Sequence, residues 1–190
     1  MKTQYAGRAL GIALALAPAV VPAQDRFDGY LCCNMRSDGS WISDANYADE
    51  AVRLLPAGTP VKVTSIGRKK VGVLIDGRKQ TIGNDYSRNL APEAFARRYV
   101  VADDPAAKIA TWPAHVQDAV RRARVTPGMT REQVLVSLGY PMASENPALE
   151  VGMWRYWLDS FTEFQVEFDH EGRVRNVVAL PTVLSRVWIP

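Results

Sequence analysis

Two histidines, two cysteines and almost no surplus charge are found in 190 residues, and each scarcity removes a class of function. His115 and His170 are distant in sequence, and neither has a second histidine at the spacing that zinc ligands on a helix adopt. No serine sits in a nucleophile-elbow pattern. A cysteine nucleophile would need His115 or His170 brought beside it, and no motif announces that pairing. The chain therefore reads as a non-enzymatic protein that implies no cofactor and no metal.

A membrane-spanning run is lacking as well. The amino end carries Lys2 and Arg8, continues through the apolar GIALALAPAVV and closes on the small residues around Ala23. That run is about a dozen residues, against the roughly 20 a spanning helix needs. Positive start, short apolar middle and small-residue end read as a removable export signal over residues 1–23, which predicts a periplasmic or secreted protein, soluble or peripheral to a membrane. Removing Lys2 and Arg8 from 23 basic residues leaves 21, against 20 acidic ones. The clusters Arg68-Lys69-Lys70, Arg97-Arg98 and Arg121-Arg122-Ala123-Arg124 have acids around them and read as solvated turns and helix ends, so no nucleic-acid partner is expected.

Cys32 and Cys33 are neighbours. In an extended strand their side chains point to opposite faces, which argues against an ordinary structural staple. Two buried thiols, a vicinal disulfide or an intermolecular bond are the choices in an oxidising compartment, and burial of at least one thiol is expected over a redox role. A lipid-modified cysteine is not expected, because Gln24, Asp25, Arg26 and Asp28 stand between the apolar run and Cys32.

What is present divides into two small units. Over residues 25–100 the signals are those of strands. FDGYLCCNM is apolar and aromatic, PAGTPVKVTSIG alternates with Val61, Val63 and Ser65 on one face, and VGVLID meets RKQTIG across Asp76-Gly77, a strong hairpin signal. Several short strands closing on themselves predict a small SH3-like β-barrel. After Asn89 the character changes: APEAFARRYV suits a short helix, and ADDPAAK reads as a linker in which Pro105 breaks any helix begun earlier.

Over residues 105–185 helices come first and strands follow. A helix opening at Pro113 places Val116, Ala119, Val120 and Ala123 on one side. In TPGMTREQVLVSLGYP, Thr130 and Gln133 have capping-box spacing; Val134, Leu135 and Leu138 supply a buried side, and Gly139 and Pro141 end the helix. MWRYWLD and FTEFQVEF then alternate as strands, DHEG turns at Gly172, and RVRNVVAL returns as a third strand. Two helices stacked on three antiparallel strands make a two-layer αα-βββ unit, so the whole chain is classed as α+β.

The order PGMTREQVLVSLGYP, WRYW, FQVEFDHEGRV resembles the SmpA/OmlA (BamE-like) outer-membrane-assembly family over roughly residues 112–180. The resemblance implies the αα-βββ fold and an accessory role in assembling or stabilising β-barrel proteins, with envelope proteins or the assembly machinery as partners. It extends to inhibitor domains that bind secreted β-lactamases, and shared architecture alone does not carry function across. The sequence departs from the family in lacking a convincing lipoprotein cysteine and in carrying the extra amino-terminal half. A peptidoglycan-binding first half and a secreted inhibitor of a hydrolase remain alternatives.

Candidate partner-binding residues fall in three stretches. WISDANY offers Trp41, Asp44, Asn46 and Tyr47, and GNDYSRN offers Asn84, Asp85, Tyr86 and Arg88, each an aromatic among hydrogen-bonding groups. The competing reading puts Trp41 and Tyr47 in a barrel core and gives the polar residues to turns. In WRYWLD, Tyr156 and Trp157 must face opposite ways, so one large aromatic lies on the side of the sheet away from the helices; Trp157, with Arg155 and Asp159 on its side, is the third candidate.

Overall fold

The computed structural model describes residues 26–49 and 51–190; the export signal read over residues 1–23 lies outside them. The first half contains β1 (Asp28–Leu31), β2 (Met35–Ser37), β3 (Trp41–Ser43), β4 (Arg53–Leu55), β5 (Pro60–Ile66), β6 (Lys70–Ile75), β7 (Arg78–Gly83), the helix α1 (Pro92–Tyr99) and β8 (Val100–Val101). The strands join in the order β4-β2-β3-β7-β6-β5-β1-β8, with β3 and β7 parallel and the other pairs antiparallel. This order has two ends, β4 and β8, so the pairing does not establish the closed SH3-like barrel expected from the sequence. Val61, Val63, Val71, Val73, Ile75 and Ile82 are buried together with Phe95 and Tyr99 of α1.

Local chemistry explains the turns. Asp76 and Gly77 both take positive φ, 50° and 72°, and connect β6 to β7 at the pair Ile75↔Arg78, as the hairpin signal required. In β5 the alternation breaks: the register jumps between Val63 and Ser65, and Ser65 is exposed instead of sharing the Val61–Val63 face. Cys32 and Cys33 follow the end of β1 at a bend, where alternation no longer separates their side chains, and their sulfurs are bonded to each other. Cys33 is buried and neither is a free thiol, so of the three choices left open by the sequence the vicinal disulfide is the one found.

The second half contains α2 (Pro105–Ile109), α3 (Ala114–Arg121), α4 (Arg131–Leu138), β9 (Met153–Trp157), β10 (Glu163–Phe168), β11 (Val174–Val178) and α5 (Pro181–Val187). The stretch expected to be a linker holds the start of a helix instead: Pro105 opens α2, whose first turn is capped by the Asp104 carboxylate accepting the Ala106 N–H at 2.8 Å. The capping box of α4 forms as expected: Thr130 Oγ1 accepts from the Gln133 N–H, and Gln133 Oε1 accepts from the Thr130 N–H. The three strands form an antiparallel sheet in the order β11-β10-β9. Its inner face carries Trp154, Tyr156, Phe164, Val166 and Phe168, buried against Val116, Val120 and Val134 of the helices and Val183 and Val187 of α5. Tyr156 and Phe164, directly opposite across the strands, stack with ring centroids 5.4 Å apart.

The halves meet through backbone groups. A helix leaves its last carbonyls without intrahelical partners, and here two asparagines of the first half supply them. Asn34 Nδ2 donates to Val120 O of α3 at 2.6 Å and to Ser137 O of α4 at 3.0 Å, while its Oδ1 accepts from Ala57 N–H. Asn46, held at a positive φ of 57°, donates from Nδ2 to Leu138 O at 2.7 Å and to Asn34 O at 2.9 Å. Gly139 lies against this pair. It has φ 83° with ψ −179°, a positive-φ extended conformation rather than the left-handed helical cap expected, and an added Cβ would stand 3.0 Å from Asn46 Nδ2.

Two changes test the seam. Asn34→Ala leaves Ser137 O and the partly buried Ala57 N–H without these partners, while Val120 O keeps the Ala123 N–H, and is expected to cost about 2 kcal/mol in urea unfolding. Gly139→Ala is expected to cost about 2 kcal/mol for the disallowed backbone alone, read as a lowered urea midpoint at unchanged slope.

Candidate functional site

The face of the β9–β10–β11 sheet away from the helices is built by strand alternation. Residues directly opposite point the same way, so the pairs Trp157↔Glu163, Arg155↔Gln165 and Met153↔Glu167 all present side chains outward. Arg155 is central: its Nε lies 3.5 Å from Glu163 and 3.9 Å from Glu145. Glu145, on the loop leading into β9, also accepts from the Trp157 indole N–H at 2.8 Å. Trp157 is thus half-buried beneath a carboxylate and an arginine, with its ring held in one orientation. On the outer strand, Arg175 pairs with Glu167 at 3.2 Å.

Asp159 does not extend this face. It lies past the end of β9, and its Oδ1 accepts the Phe161 N–H at 2.8 Å; the backbone bonds of this turn hold the carboxyl below the usual aspartate range. The turn it orders carries the residue that sequence reasoning missed. Phe161 is 94 % exposed, an aromatic displayed at the tip of the β9–β10 hairpin. The signal was there to read: an aromatic inside the polar turn Asp159-Ser160-Phe161-Thr162 has no alternating partner to bury it. The register places Val178 opposite Gln165, near the Glu163 end of β10, so Phe161, Val178 and the following Leu180 project from one end of the sheet. Leu180 is 65 % exposed. Such apolar exposure within one region is the usual mark of a contact surface.

In the first half, Asp44 clasps the two candidate stretches together. It is 2 % exposed, and its carboxylate accepts the backbone N–H groups of Asp85 at 3.1 Å and of Tyr86 at 3.1 Å. Burial raises its pKa and these backbone donors oppose the rise. Asn84 is also buried, its Nδ2 donating to Arg68 O and its backbone N–H to Lys69 O. Asp44 and Asn84 therefore serve the fold and do not reach the surface. The clasp brings out Tyr47 and Tyr86, whose hydroxyls are 3.1 Å apart with the rings edge to face, and leaves Trp41, Tyr86 and Arg88 exposed with Asp85 half-buried beside them. Trp41 packs over Gly83 instead of filling a barrel core.

Among the described residues no group of three or more histidine, cysteine or acidic side chains is placed to hold a metal. His115 on α3 and His170 in the β10–β11 turn are both exposed. Among the described residues no helix is long and apolar enough to cross a membrane. The arrangement thus offers rigid aromatics and ordered charges on two surfaces, suited to recognition.

No curated protein and no solved structure shows a match to the chain. Residues 117–177, from within α3 to the penultimate residue of β11, match the family of the outer membrane protein assembly factor BamE domain.

Proposed function

We propose that this is an exported, non-enzymatic adaptor that takes part in outer-membrane protein assembly from the periplasmic side, through protein contacts made by its second half. The match over residues 117–177 carries this reading, because it covers both layers of the unit, the helix α4 and all three strands. Assembly accessories act by holding surfaces together, and the open sheet face provides one. Phe161, Val178 and Leu180 give it apolar area, while Arg155, Glu145 and Glu163 fix Trp157 and supply a polar rim. The Tyr47, Tyr86, Trp41 and Arg88 surface of the first half is a second contact in the same adaptor. No observation favours the peptidoglycan or inhibitor alternatives.

A photo-crosslinking residue in place of Phe161, used in envelope extracts, is expected to capture a component of the outer-membrane assembly machinery or a barrel protein in assembly. Capture confined to unrelated soluble proteins, or none, would count against the reading. Trp157→Ala is expected to weaken the captured interaction by about tenfold with the thermal midpoint nearly kept. A collapsed thermal transition without a separate binding loss would make Trp157 a packing residue instead. Asp159→Ala removes the acceptor that orders the hairpin tip, so its loss should be smaller and should appear as faster amide exchange at Phe161.

A further inference from the structure

A cavity of about 330 Å³ opens at the seam between the halves, bounded by the loop after β3, by β4, by the ends of α3 and α4, and by the Trp157 end of β9. Its charged lining is one-sided. Arg36, Arg122, Arg124 and Arg186 face it, with Asp49 the single carboxylate on its wall among the described residues. Arg122 is held by Asp118 at 3.1 Å, and Asp159 lies close enough to Arg186 to be affected by its charge. Among the described residues, Arg36, Arg124 and Arg186 have no carboxylate within ion-pair distance. Glu50, beside Asp49 in sequence, lies outside them. Arg36 is the most telling. It is largely buried, it donates only to Asn46 O at 3.2 Å, and burial and then the charge of Arg186 pull its pKa down to about 10. A buried cation is ordinarily paired, because taking it from water without a counter-charge is costly.

A second observation narrows the ligand. Part of the wall is apolar, formed by Val52, Leu54, Leu158 and Phe164. A phosphate or sulfate answers the arginines and leaves that wall against water. A peptide's last residue answers both: its carboxylate suits guanidinium groups, and its side chain can lie on the apolar wall. The volume sits at the small end of ligand sites, enough for the end of a chain rather than for a folded element.

We propose that this cavity binds the free carboxyl terminus of a polypeptide with a large apolar last residue, its carboxylate gripped by Arg36 and Arg186 and its side chain laid on the wall of Leu54, Leu158 and Phe164. The inference stands apart from the sheet-face reading, and each can fail without the other.

The test uses the mature protein and fluorescence anisotropy with a labelled hexapeptide ending in phenylalanine as the free acid, the same peptide as its carboxyl amide, and a cell-wall stem peptide ending in D-alanine. The acid is expected to bind, and the amide to bind about tenfold or more weakly. Arg186→Gln, at an exposed position, is expected to lose a similar factor, with the thermal midpoint lowered only slightly by loss of the bond to Ala48 O. Arg36→Lys keeps a buried cation but loses the planar fork and should weaken the acid alone. Equal affinity for acid and amide, or no saturable binding of either by folded protein, would overturn the site. Tighter binding of the D-alanine stem would overturn the apolar-terminus assignment and move the source to the cell wall.

Discussion

The structure depends on one constraint above the others: helices that end against another part of the chain must have their terminal carbonyls satisfied there. Both α3 and α4 end at the seam, and Asn34 and Asn46 reach across from the first half to meet Val120, Ser137 and Leu138. An amide side chain is suited to this, since its two N–H groups reach two carbonyls at once while its oxygen stays available. Asn34 uses that oxygen on Ala57 N–H, which ties the approach to β5 into the same network. Tyr156 adds a link from beneath, its hydroxyl donating to Gly139 O at 3.1 Å. The inner face of the sheet, the helix ends and the first half therefore converge on one polar knot inside an otherwise apolar region.

This knot orders what surrounds it. The Asn46 loop continues into Ala48, whose N–H donates to Leu158 O at 2.7 Å and whose carbonyl accepts from Arg186 at 2.7 Å. The loop, the end of β9 and the start of the exposed hairpin are thereby fixed relative to one another. The final segment clamps the other side: Ile189 N–H donates to Val125 O, and Val125 N–H to Val187 O. The family match ends at residue 177, so α5 and the Val187–Ile189 side of this clamp lie beyond it, while Val125 lies within it. The unit here is the matched layers with a helix added at the end and a sheet added at the front.

Much of the second half was legible in the sequence because its signals are local. A capping box needs Thr130 and Gln133 three residues apart, an amphipathic helix needs Val116, Ala119 and Val120 at helical spacing, and a half-wet strand needs the alternation of Phe164, Val166 and Phe168. The first half was harder. Its bulge after Val63 shifts the pattern by one residue, and the parallel pairing of β3 with β7 joins segments about 40 residues apart. Pro105 read as a break because nothing local separates a helix-opening proline from a helix-ending one until the Asp104 cap is seen. The candidate surfaces divide in the same way. The opposite-face argument found Trp157, which follows from alternation alone. It could not place Asp44 and Asn84 inside, because their burial depends on a clasp between distant loops. The seam cavity lay out of reach, since its arginines come from β2, the turn after α3, and α5 and meet only in three dimensions.

The seam also has an evolutionary side. Asn34 and Asn46 recognise main-chain oxygens, which every residue type carries, so the side chains at Val120, Ser137 and Leu138 are not what the first half reads. The two halves can thus drift in sequence at different rates while keeping their mutual orientation, provided that the two asparagines and the glycine beside them persist. A second half with quite different helix-end residues would still dock on the same front piece, which makes that piece a portable mount.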